Sequence, residues 1–124
     1  MITFLSAERV IQIHDYQLAE HGGLPGYRDF GAISSIVARV ENTHLYNGVE
    51  DLFSLASNYL IAISRGHGFN DANKRTALLS ALVFLELNNI TVQTPVSFAD
   101  FVAEVAQGIH ETEVVAEALK HLAR

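Results

Sequence analysis

Apolar residues recur at three- and four-residue spacing along most of the 124-residue chain, the pattern of helices that bury one face. Val10, Ile11, Ile13 and Leu18 give a stripe to a helix over about 7–20, with Ser6 suited to cap its start and Gly22 to stop it. The glycine-rich stretch 22–26 reads as a loop. Ile33, Ile36, Val37 and Val40 predict a second helix over about 32–41, followed by a connection over 42–48. A third is expected over about 50–65, where Glu50 and Asp51 suit the positive end of the helix dipole and Gly66 ends it. The fourth, about 73–88, is apolar almost all round and is therefore expected at the centre of a bundle. A short extended piece over 90–92 follows. Ser97 with Asp100 reads as a capping box for a fifth helix over about 98–107, and Thr112 suits the cap of a sixth over about 113–122. The pattern predicts an all-α bundle of about six helices, with one central buried helix and at most a short hairpin. Packing order stays open.

The length suits a single domain over 1–124, and an apolar fraction of 49% is enough for one core. The charged fraction of 18% argues against disorder. There are no cysteines, which excludes disulfides and thiolate zinc sites. A formal charge of −6 disfavours direct nucleic-acid binding. Even so, Arg65, Lys74 and Arg75 bring three of the eight basic residues together, so the local field there is expected to be positive. The first residues lack a signal-peptide pattern, and polar residues interrupt every long apolar run. The expected location is the cytoplasm, with no membrane partner.

The segment 67–75, His-Gly-Phe-Asn-Asp-Ala-Asn-Lys-Arg, lies between the third and fourth helices. Such a polar cluster between buried helices is costly unless its groups bind each other or a ligand. A helix start offers unpaired N–H groups and a positive dipole end, and so attracts an anion. Asn73, Lys74 and Arg75 stand there, and Gly68 and Ala72 are small enough for close backbone approach. A guanidinium holds phosphate bidentately, and an ammonium adds a point charge. One carboxylate beside a phosphate cradle, here Asp71, is how magnesium is commonly held. Taken alone, Asp71 would equally serve as the cap of the fourth helix. His67 is placed to accept a proton at neutral pH, and Phe69 is expected to pin the loop into the core. Together these residues point to phosphoryl or nucleotidyl transfer to a hydroxyl. A two-metal phosphohydrolase is disfavoured because the segment holds only one carboxylate.

These residues resemble the Fic/Doc family, whose core motif reads H-x-F-x-[DE]-G-N-x-R. The chain matches it at His67, Phe69, Asp71, Asn73 and Arg75. Ala72-Asn73-Lys74-Arg75, the loop over 22–26 and the chain length are most similar to the Doc subgroup, the toxins of Phd–Doc toxin–antitoxin modules. The resemblance implies the Fic fold, ATP and Mg²⁺, with His67 as general base, Asp71 as magnesium ligand, and Gly68, Asn73, Lys74 and Arg75 around the phosphates. Adenylylating members usually have Gly at the position of Lys74 and a second Arg at the position of Leu78; the Doc subgroup shares the departure seen here. The implied activity is therefore a protein kinase that passes the ATP γ-phosphate to a threonine of elongation factor Tu and arrests translation. A Fic-type AMP transferase and a catalytically silent binding module are the competing readings. The inhibitory pattern [ST]-x-x-x-E-[GN] of many Fic proteins is absent, because Val37 stands at the hydroxyl position before Glu41-Asn42. Restraint is then expected from a Phd-like antitoxin that docks a C-terminal helical segment into a groove.

The remaining candidates have simpler explanations. His14, His21, His44, His110 and His121 show no metal-ligand spacing and are expected at the surface or half-buried. Arg65 is expected to cap the third helix rather than to orient phosphate. Asp29 and Phe30 are expected in a loop within reach of substrate.

Overall fold

Capping residues set where the first three helices begin. In the computed structural model, which describes residues 1–124, α1 (Ala7–His21) starts where Ser6 accepts a hydrogen bond from the Arg9 N–H. Asp29 accepts from the Gly31 N–H to open α2 (Phe30–Asn47). Asp51 accepts from the Ser54 N–H and hydroxyl to open α3 (Leu52–Gly66). α4 (Asn73–Leu87), α5 (Phe98–Ala106) and α6 (Thr112–His121) complete an all-helical fold without strands. Capping side chains satisfy N–H groups that the first helical turn leaves orphaned.

Several local readings differ from the observed helices. α3 opens at Leu52 rather than Glu50, with Asp51 outside it as the cap. α2 continues through 42–47, because the Thr43 hydroxyl back-bonds to the Arg39 carbonyl and Gly48, left-handed at φ 69°, closes the helix. Its last turns carry no apolar stripe, so periodicity did not mark them. Asp29 and Phe30 are consequently the cap and first residue of that helix, not a free loop. The capping box at Ser97 does not form. The Phe98 and Ala99 N–H groups bond back to Pro95 and Val96, so the chain is already turning at Ser97 and its hydroxyl caps nothing. α6 likewise starts without a side-chain cap, Thr112 being its first helical residue. The extended piece is a single antiparallel bridge between Val92 and Ala123.

The centre of the bundle is α3 rather than α4. α3 packs against α2, α4, α5 and α6, and it buries Leu55, Ala56, Tyr59, Leu60 and Ile63. α4 lies against α1, α3 and α5, with Ala77, Ala81, Phe84 and Leu85 inward. Its outer leucines, Leu78, Leu79 and Leu82, line an external groove of about 500 Å³ with Gln17 and His21 of α1. The all-round apolarity of α4 thus serves two surfaces, the core and this groove.

The N-terminal segment is sewn to the core by two long-range links. The Leu5 N–H donates to the hydroxyl of Tyr59 (2.9 Å), both groups buried. Burial pushes the Tyr59 hydroxyl above the usual tyrosine range. Thr3 and Asn88 exchange two hydrogen bonds, backbone to carboxamide, each of 2.9 Å. Tyr59→Phe would leave the Leu5 N–H buried without a partner, a loss of about 1–3 kcal/mol. Urea unfolding is expected to show it as a lower midpoint at unchanged slope.

Candidate active site

The loop between α3 and α4 turns twice through left-handed backbone. His67 ends α3 at φ 49°, and Ala72 precedes α4 at φ 62°. Between them Phe69 is driven into the core, 3% exposed, as its apolar character predicts. The Asn73 carboxamide closes the loop: it donates to the Phe69 carbonyl (3.0 Å) and accepts from the Phe69 N–H (3.1 Å). The 22–29 connection lies alongside. Tyr27 and Phe69 form an antiparallel bridge, carried by Arg28 N–H to Gly68 O and Asn70 N–H to Gly26 O. Asn70 and Arg28 add side-chain bonds to the Pro25 and His67 carbonyls.

This packing aims the chemistry into a cleft of about 330 Å³. The cleft is bounded by His67, by residues 70–75, and by Ser64 and Ala106 from α3 and α5. Its volume is at the small end of ligand pockets, and its lining is polar apart from two alanines, which suits phosphates better than an apolar group. Ala72, the N-cap of α4, gives no side-chain cap. The N–H groups of Asn73, Lys74 and Arg75 therefore meet no protein acceptor, although Thr76 closes on the Ala72 carbonyl.

The charges are arranged in the same sense. The two side-chain contacts of carboxylates within ion-pair distance are both with histidine, so no lysine or arginine is neutralised by a carboxylate within contact. Lys74 is exposed beside the cleft. Arg75 donates through Nη2 to the Gly22 carbonyl (3.1 Å), which fixes the guanidinium near the mouth. Asp71 accepts from Leu24 N–H at Oδ2 (3.0 Å) and from Ala72 N–H at Oδ1 (2.8 Å). Those two donors, with Arg75 and His14 nearby, hold its carboxyl below the usual carboxylate range despite partial desolvation. An ionised Asp71 results. No cluster of three acidic or histidine side chains exists to cage a metal. A cation here would have Asp71, phosphate oxygens and water, the ligand set magnesium accepts.

Loop 22–24 can approach so closely because Gly23 has no Cβ. An added methyl would stand 2.9 Å from Asp71 Oδ2 and 3.3 Å from Arg75 Nη2, at a backbone φ of +129°.

The structure brings His67, Asp71, Asn73, Lys74 and Arg75 together as the motif predicts, with two revisions. Gly68 is buried against Ile33 of α2 rather than lining the cleft; a Cβ there would sit 3.1 Å from Ile33 Cγ1. It shapes the loop and does not line the cleft. Asn73 faces the cleft, but its carboxamide is engaged by Phe69, which leaves its main-chain N–H for an anion.

Outside the motif, Arg65 neither caps its own helix nor reaches the cleft. Its Nε and Nη2 donate to the carbonyls of Val105 (2.7 Å) and His110 (3.0 Å), tying down the end of α5 that forms a cleft wall. His14 is not a surface residue: it is 1% exposed. Its Nε2 lies 3.0 Å from the Asp71 main-chain oxygen, and its ring stacks on Phe69 with centroids 3.9 Å apart and planes 7° off parallel. The signal was present in the sequence, since His14 falls on the stripe of Val10 and Ile13.

The chain is similar to known proteins over most of its length. A model of the Fic/DOC family matches residues 4–85. The chain is 42% identical over 118 residues to the protein named protein kinase doc of Escherichia phage P1, covering 95% of this chain and 94% of that protein. It is 32% identical over 89 residues to the protein named toxin Doc of Mycolicibacterium smegmatis, covering 71% and 65% of the two chains.

Proposed function

The chain belongs to the Fic/Doc family, and from that membership we propose that it is a toxin of the Doc type, a protein kinase that passes the γ-phosphate of ATP to a protein hydroxyl. The observation that carries this reading is the start of α4. Three unpartnered N–H groups, Lys74 and Arg75 form a cationic cradle with no carboxylate pairing, and the imidazole of His67 stands on its rim. In the proposed reaction His67 removes the proton of the acceptor hydroxyl as its oxygen forms the new bond to the γ-phosphorus. The bond from that phosphorus to the β,γ-bridging oxygen breaks, and ADP leaves. The cradle holds the charge that gathers on the phosphate oxygens. Bound Mg²⁺ would supply further neutralisation, and Asp71 is the residue to hold it.

Kinase chemistry is preferred to AMP transfer for a positional reason. Leu78, where adenylylating relatives carry a second arginine, lies in the external groove and not in the cleft. The cleft thus has one guanidinium, and Lys74 occupies the space beside it. The acceptor we propose is a threonine of elongation factor Tu, with arrest of translation in the cytoplasm as the result. The restraining partner is a Phd-like antitoxin. The groove formed by Leu78, Leu79 and Leu82 with Gln17 and His21 suits the apolar face of its helical segment. No helix is long and apolar enough to cross a membrane.

ATP labelled separately at the α- and γ-positions, incubated with the chain, Mg²⁺ and elongation factor Tu, tests the reaction. Transfer of the γ label alone is expected. Transfer of the α label would establish AMP transfer instead, and ATP binding without transfer of either would leave a binding module.

A further inference from the structure

We propose that His14, a buried residue of α1 outside the motif, is the positioning residue that sets the aim of Asp71 and of the α4 start. The inference rests on reading the cleft as an ATP–magnesium site. A carbonyl oxygen only accepts, so the 3.0 Å contact to Asp71 O requires the proton on Nε2 of His14. That bond holds one end of the Asp71–Ala72 peptide. The other end, the Ala72 N–H, donates to Asp71 Oδ1 at 2.8 Å. The peptide unit is thus pinned at both ends, and its rotation would withdraw a donor from the carboxylate. It would also re-aim Asn73, Lys74 and Arg75, because Ala72 sits in strained left-handed backbone and leads directly into α4.

The same ring grips the loop at a second point. It stacks face to face on Phe69, whose N–H and carbonyl are the two partners of the Asn73 carboxamide. His14 does not line the cleft. It acts through the main chain of the residue proposed to hold the metal, as outer-sphere partners orient ligands in metal sites. α1 also runs on into loop 22–24, which supplies the Leu24 N–H to the other Asp71 oxygen and the Gly22 carbonyl to Arg75. One helix therefore fixes the carboxylate from both sides.

The test is magnesium-dependent ATP binding, followed by calorimetry on wild type, His14→Phe and His14→Gln. His14→Phe keeps a planar ring on Phe69 but has no N–H; His14→Gln restores a donor near the Nε2 position. His14→Phe is expected to raise the magnesium concentration for half-maximal ATP binding by on the order of 10-fold. His14→Gln should recover most of that. A lowered melting temperature in His14→Phe with an unchanged magnesium requirement would show a packing role only and overturn the proposal. Should His14→Phe not fold, His14→Asn, whose shorter carboxamide falls short of the Asp71 carbonyl, takes its place: a raised magnesium requirement with near-normal melting supports the proposal, and a wild-type requirement overturns it. Failure of the wild type to bind ATP would instead defeat the kinase reading, and this inference with it.

Discussion

Replacing His67 by alanine is expected to slow phosphoryl transfer by on the order of 10²- to 10⁴-fold, the range for loss of a general base. The fold should not register the change. His67 is exposed, its main chain ends α3, and its structural bond is made by its carbonyl, which alanine retains. Left-handed backbone costs alanine about 1 kcal/mol more than glycine, but histidine already bears a similar strain there. The helical circular-dichroism spectrum should be unchanged, while γ-phosphate transfer and growth arrest on expression should disappear together. Retained arrest would mean that the toxicity does not pass through this imidazole.

Asp71→Asn is the second large effect. The carboxamide keeps one acceptor oxygen for Leu24 or Ala72 but loses the charge and the second acceptor. Removing a fixed electrostatic contact of this kind commonly lowers the rate by on the order of 10²- to 10³-fold. Initial rates against magnesium at saturating ATP provide the check. The variant should need far more magnesium, and a wild-type magnesium response would remove Asp71 from the role of ligand. Because Asp71 is only partly buried, the melting temperature should move little compared with that of Tyr59→Phe.

How much of this was legible in the sequence depended on the range of the interaction. Ser6 and Gly22 act within a few residues of their own positions, and they delimit α1 as local rules predict. The motif is also local: His67 to Arg75 is one turn-and-helix unit, so its spacing already contains its geometry. His14 escaped because its partners, Asp71 and Phe69, are distant in sequence, and a histidine on an apolar stripe does not announce what it will meet. Arg65 escaped for the same reason, since its acceptors are main-chain carbonyls of Val105 and His110, which any residue type would offer. The position of α3 at the centre was hidden by α4, whose outer leucines face a groove and mimic a core helix. At Ser97 a local rule misled, because the turn from Pro95 already occupies that stretch of chain and the Ser97 hydroxyl caps nothing.

The reciprocal bonds between Thr3 and Asn88 have a consequence for synthesis. A chain emerging from the ribosome presents its first residues long before the end of α4 exists, and those residues have nothing to clasp until position 88 has cleared the exit tunnel. His14 likewise waits for Asp71 and Phe69. The N-terminal segment, although made first, is therefore among the last parts of the chain to be fastened.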